Sequence, residues 1–100
     1  MRTGRVIGEV WATKRIPSTV GIKWLLVRAD DGKGRERNEL WVAADTVDAG
    51  LGDRVVVVFG RAARISIGRP LAAIECATIG VIDREELSQE ELGRAKLPAD

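Results

Sequence analysis

Alternate side chains of a β-strand point to opposite faces of the sheet. That rule makes Arg54-Val55-Val56-Val57-Val58-Phe59-Gly60 the most constraining stretch of this chain. Val55, Val57 and Phe59 fall on one face, Val56 and Val58 on the other. A small antiparallel sheet normally buries one face and wets the other. A strand apolar on both faces needs a second cover, and 100 residues is a short chain for folding two layers over its own sheet. The simplest second cover is another copy of the same chain. The pattern therefore predicts an obligate oligomer of a small β domain.

A chain of this length makes one domain. Such a domain buries roughly 60–70% of its unfolded surface, so its stability is modest without help. The single cysteine, Cys76, excludes an intramolecular disulfide and fits a reducing compartment. No apolar run approaches the about 20 residues that span a bilayer. The start, Met1-Arg2-Thr3-Gly4-Arg5, runs straight into strand-like sequence and lacks the apolar core of a signal peptide. The expectation is a cytoplasmic protein with no membrane partner. The formal charge of +1 divides into +3 over residues 1–83 (13 Lys/Arg, 10 Asp/Glu) and −2 over residues 84–100 (3 and 5). Neither value calls for a nucleic acid. Histidine and tyrosine are absent. The commonest general base and metal ligand are thus missing, and no cofactor is expected.

The elements follow from alternation and punctuation. Arg5-Val6-Ile7-Gly8-Glu9-Val10-Trp11-Ala12-Thr13 reads as a strand, with Gly4 and Gly8 marking bends or a close backbone approach. A loop with Pro17 and Ser18 leads to Ile22-Lys23-Trp24-Leu25-Leu26-Val27-Arg28, again apolar on both faces. Asp31-Gly32 lies in a charged turn between apolar runs and signals a hairpin, with Glu39-Leu40-Trp41-Val42-Ala43-Ala44 returning. In the next connection Asp45 is placed to cap a short helical turn, and Gly50 and Gly52 to take positive φ. The valine strand follows, then an irregular stretch over residues 61–70 and a last strand over residues 73–82. Five strands with uneven connections favour a mainly β fold, a small five-stranded OB-like barrel. The tail adds a short C-terminal helix: Ser88-Gln89-Glu90-Glu91 matches a capping box, Leu87 and Leu92 a hydrophobic staple, and Pro98 a stop. At about eight residues that helix is marginal alone, and the tail is expected to be peripheral.

These residues resemble the EutN/CcmL family, the pentameric vertex proteins of bacterial microcompartments. The likeness begins at Gly4-Arg5-Val6-Ile7-Gly8-Glu9-Val10 with Ala12-Thr13-Lys14 and continues through Gly21-Ile22-Lys23-Trp24-Leu25-Leu26-Val27. Its most specific piece is Ala44-Asp45-Thr46-Val47-Asp48-Ala49-Gly50-Leu51-Gly52-Asp53-Arg54-Val55. Gly60-Arg61-Ala62-Ala63-Arg64 and Ile79-Gly80-Val81-Ile82-Asp83 complete it. It spans residues 1–83, the expected barrel domain, and leaves residues 84–100 as a separate tail. Asp48 stands where a glycine is expected, and Trp11, Trp24 and Trp41 are bulkier than expected at their places. The resemblance implies an OB-like barrel that forms homopentamers. Those pentamers close the corners of a polyhedral shell whose facets are hexamers of another family. It implies a structural protein in the cytoplasmic shell, not an enzyme, with itself and the hexameric shell proteins as partners.

Each sharper reading has a plainer rival. Three tryptophans near basic residues could form a stacking platform for single-stranded nucleic acid, or serve core and interface packing. The second is favoured, since each lies inside an apolar strand. A binding module for single-stranded nucleic acid or a small ligand remains the alternative function. Asp31-Gly32-Lys33-Gly34-Arg35 lacks the spacing of a phosphate loop, and Asp45, Asp48 and Asp53 fit no calcium loop and suit turns better. Cys76 has no base beside it and reads as buried and inert. A five-fold ring brings five copies of some loop to its axis, where small residues tolerate crowding. The candidates are Ala49, Gly50, Leu51 and Gly52, and Gly60, Arg61, Ala62, Ala63 and Arg64. Arginines at the axis would favour anions; alternatively, either loop simply shapes the subunit contact. Val56, Val58, Trp24 and Trp41 are the candidate interface residues.

Overall fold

A computed structural model of the chain describes residues 1–11 and 17–82. Five strands, β1 (Arg2–Val10), β2 (Trp24–Asp30), β3 (Glu36–Asp45), β4 (Arg54–Phe59) and β5 (Cys76–Val81), close into a barrel in the order β1-β2-β3-β5-β4. A 3-10 turn, Pro17–Thr19, precedes β2, and a helix, α1 (Gly60–Ser66), joins β4 to β5. The expected C-terminal helix, and the boundary between barrel and tail, fall outside the described residues.

Alternation builds the barrel. Val6, Leu25, Val27, Ala43, Val55, Val57 and Cys76 point inward and fill it, with Ala49 as a plug and Trp41, Val47 and Phe59 at its margin. In so small a barrel the interior is packed side chains, not a channel. Burying a valine or leucine there contributes about 1.5–3 kcal/mol each. β1 pairs with β2 on one side and β4 on the other, with Gly4 facing Ala29 and Val55. Gly4 marks a close approach: a Cβ there would lie 2.5 Å from the Arg28 carbonyl oxygen and 2.7 Å from Val27 Cγ1. A bulge between Val6 and Gly8 bends β1, as the barrel requires. The β2–β3 hairpin turns at Asp31-Gly32-Lys33-Gly34, where Asp31 Oδ1 accepts from Lys33 N at 2.8 Å and Asp30 Oδ1 from Gly32 N at 2.8 Å.

Two expectations change. The stretch 61–70, expected to be irregular, holds most of the helix α1, which begins at Gly60 (φ 59°) and is followed by Gly68 (φ 74°). The last strand begins at Cys76, not Ala73, because Ala72 and Ile74 turn inward to form a second core. That core holds Ile22, Ala44, Val58, Ala63, Ala72, Ile74 and Ala77 outside the barrel wall. It changes the argument from the valine strand. Val58 lies on the outer face as expected, yet it is only 9% exposed, because α1 and residues 72–74 of its own chain cover it. A second copy is not needed at that position.

Candidate assembly surfaces

The first candidate axis segment is the turn after β3. The Asp45 carboxylate accepts from Val47 N at 3.2 Å and Ala49 N at 3.1 Å, folding the chain into a tight bend instead of the expected helical turn. Asp53 Oδ2 accepts from Gly50 N at 2.8 Å, and Gly52 N donates to the Val6 carbonyl at 2.9 Å. Arg5 Nη1 donates to the Gly52 carbonyl at 2.6 Å. Lys23 Nζ donates to the Ala49 carbonyl at 2.9 Å and stands 3.4 Å from Asp45 and 3.3 Å from Asp48. Partial desolvation would lower the Lys23 pKa, but Asp48 and Asp45 outweigh it and raise it. Asp45 and Asp53 thus organise a turn, as the sequence suggests. Asp48 has a φ of 57°, and Gly52 takes positive φ (85°). The left-handed region suits glycine best and tolerates Asp, which accounts for the departure at Asp48. Ala49 is fully buried in the barrel and cannot line an axis, whereas Leu51, at 71% exposure, projects from the turn with Gly52 exposed beside it.

The second segment is the start of α1. Gly60 N donates to the Glu75 carbonyl at 2.8 Å, fixing the helix to the approach to β5. Ala63 is fully buried in the outer core and is likewise excluded from any axis. Arg61 and Ala62 are exposed. Arg64 turns back along the chain, 3.3 Å from the Ile74 carbonyl and 3.5 Å from Glu75 Oε1. Burial thus removes Ala49 and Ala63, while Leu51, Gly52, Arg61 and Ala62 are exposed and Gly50, Gly60 and Arg64 half-buried.

The tryptophans do not share one role. Trp41 sits at the barrel mouth, edge-on to Phe59 with ring centroids 5.2 Å apart. The Arg2 guanidinium lies 4.7 Å above its ring, and its Nε1 donates to Glu39 Oε2 at 3.0 Å. Trp41 thus packs against its own barrel while staying half-buried. Trp24 packs half-buried on the outer core, and Trp11 is 81% exposed. Trp11 and Trp24 share a groove of about 330 Å³ with Val10 and Ile22. Val56 is half-buried.

A buried ion pair crosses the barrel near the hairpin. Arg54 Nε donates to Asp30 Oδ2 at 2.9 Å, and Thr3 Oγ1 donates to Asp30 Oδ1, so one carboxylate ties β1, β2 and β4 together. Burial alone would raise the Asp30 pKa, but the hydrogen bonds from Arg54, Thr3 and Gly32 outweigh it and hold the group below the ordinary carboxylate range. Nothing in the sequence pattern marks this pair, since its members are 24 residues apart and meet only through the barrel register. Cys76 is buried, and desolvation pushes its thiol up to about 11, so little thiolate forms at neutral pH. Among the described residues no three His, Cys, Asp or Glu side chains converge as metal ligands, and no helix is long and apolar enough to cross a membrane.

The outer face of the β2–β3 hairpin stays uncovered. Leu40 and Val42 are 49% and 50% exposed, Leu26 is half-buried beside Val42, and Ile7 of β1 is exposed nearby. Of the two strands whose sequences are apolar on both faces, β2 keeps part of its outer face uncovered here, whereas α1 covers Val58 of β4.

The profile of the family described as "Ethanolamine utilisation protein EutN/carboxysome" matches residues 1–83. The carboxysome shell vertex protein CcmL of Gloeobacter violaceus is 37% identical over 92 residues, 92% of each chain. Its solved structure superposes with a TM-score of 0.82 at 37% identity, covering 91% of this chain and 92% of that one. The GrpN pentameric microcompartment shell protein from Rhodospirillum rubrum superposes with a TM-score of 0.77 at 36% identity, covering 86% and 99%.

Proposed function

The chain belongs to the EutN/CcmL family, and on that premise we propose that it is a vertex protein of a bacterial microcompartment shell. Five copies form a ring, and the ring caps a five-fold corner of a cytoplasmic shell whose facets are hexameric shell proteins. The role is geometric and not catalytic: a flat lattice of hexamers closes into a polyhedron only where five-fold points supply curvature. The observation that carries this reading is the uncovered outer face of β2 and β3, with Leu40 and Val42 half-exposed on a barrel whose own interior is filled. Apolar surface of this kind calls for a protein partner, and a second copy supplies it. Leu51, Gly52, Arg61 and Ala62, the exposed members of the two candidate segments, are the residues we assign to the ring axis or its rim.

Trp41 argues against the alternative of a single-strand binding platform, because its ring is occupied by Arg2 and Phe59. Native mass spectrometry tests the ring. A single species of five 10.9 kDa chains is expected; a stable monomer, dimer or hexamer contradicts it.

A further inference from the structure

The connection from α1 to β5 presents an apolar side chain to solvent beside a cation that lacks an acid. Leu71 is 97% exposed, and Pro70 before it is exposed as well. A lone exposed leucine is ordinarily uninformative. Leu71 differs because its loop is pinned and its surroundings form a groove. Gly68 N donates to the Ile65 carbonyl, Arg69 N to the Arg64 carbonyl and Ala72 N to the Arg69 carbonyl, each at 3.0 Å. Leu71 lines a groove of about 320 Å³ with Ser18, Arg69, Pro70 and Ala72, at the small end of the range for ligand pockets. Val20, two residues beyond Ser18, is 58% exposed. Arg69 is the charged residue in the groove wall, and its Nη1 donates to the Ser18 carbonyl at 2.9 Å, which fixes the guanidinium. The charged residues of the stretch 60–75 are Arg61, Arg64, Arg69 and Glu75, and Glu75 faces Arg64 at 3.5 Å. Among the described residues no carboxylate pairs with Arg69.

We propose that this groove receives the carboxyl-terminal residue of a partner protein, its apolar side chain against Pro70, Leu71 and Ala72 and its terminal carboxylate on Arg69. A terminal residue carries side chain and carboxylate on one Cα, so the two reach a wall and a guanidinium that adjoin. An internal leucine would supply the apolar group without the charge, and an internal glutamate the charge without the apolar group. A guanidinium offers five N–H donors in a plane. The bond to Ser18 therefore leaves enough of them for two parallel bonds to a carboxylate. The loop and the guanidinium are already held, so binding has little left to order. Binding at this groove goes beyond the vertex reading and does not rest on it.

The test titrates N-acetyl-leucine, and its neutral counterpart N-acetyl-leucinamide, into the intact full-length protein. Nuclear magnetic resonance follows the Leu71 methyl groups and the Arg69 Nε–H, and native mass spectrometry reads the oligomer in the same sample. Saturable shifts at both residues are expected with N-acetyl-leucine. The amide should bind about tenfold more weakly, as the loss of a hydrogen bond between charged groups implies. Added salt should weaken the acid more than the amide. Arg69→Gln should bring the two compounds to similar affinity, and Leu71→Ser, at a side chain in solvent, should weaken both while circular dichroism stays that of the folded barrel. Equal affinity of acid and amide for the wild type, a preference for the acid that survives in Arg69→Gln, or Leu71 signals that N-acetyl-leucine leaves unmoved overturns the carboxylate groove and leaves the vertex reading standing. A sample with no pentamer overturns the vertex reading alone.

Discussion

Asp30 and Arg54 show what single side chains do for this barrel. Both are nearly buried and joined at 2.9 Å, so removing one strands the other in a low-dielectric site, at a cost of about 3–5 kcal/mol. Asp30→Ala should lower stability by that amount in urea denaturation at fixed protein concentration. The carboxyl is also more acidic when folded than an ordinary aspartate, whose pKa is about 3.9. Its contribution is therefore complete above that value and lost as pH falls through the lower folded pKa. Between pH 5 and pH 2.5 the wild type should lose more stability than Asp30→Asn, which has no carboxyl to protonate. Gly4 supplies a second residue-scale contrast. A Cβ at Gly4 would strike the Arg28 backbone, whereas one at Gly8 meets only Leu26 Cβ at 3.9 Å. Thermal denaturation should find Gly4→Ala destabilised by about 1–3 kcal/mol and Gly8→Ala close to wild type.

The elements divide by how far their causes reach along the chain. The five strands and the Asp31-Gly32 hairpin were legible because alternation and turn chemistry are local. The inner face of β4 was legible for the same reason. What covers its outer face was not, since periodicity shows that Val58 needs a partner without showing whose chain provides it. α1 was missed because seven residues between two glycines carry too little periodic signal to separate a helix from a loop. The alanine and arginine content of Arg61-Ala62-Ala63-Arg64 was the available hint. Of the candidate site, the turn roles of Asp45 and Asp53 could be read locally, whereas the inward position of Trp41 and the burial of Ala49 and Ala63 depend on register and on the second core. The helix makes its own prediction. Ala63→Leu forces three extra carbons into that core and should cost about 1–3 kcal/mol in chemical denaturation, while Ala62→Leu, on the exposed side, should leave subunit folding unchanged.

At the scale of the whole molecule, a filled barrel, an outer core sealed by α1 and an apolar hairpin face form a unit built to be placed beside its own copies. Neither loop segment, nor Cys76, nor the aspartates gather into a reacting centre among the described residues. On the proposed function, this chain closes shells. Electron microscopy of shells assembled from the facet proteins and cargo, with and without this chain and with no other vertex protein present, measures that directly. Closed polyhedra are expected when the chain is present, and open, elongated or leaky shells when it is absent. Equally closed shells in both samples would contradict it.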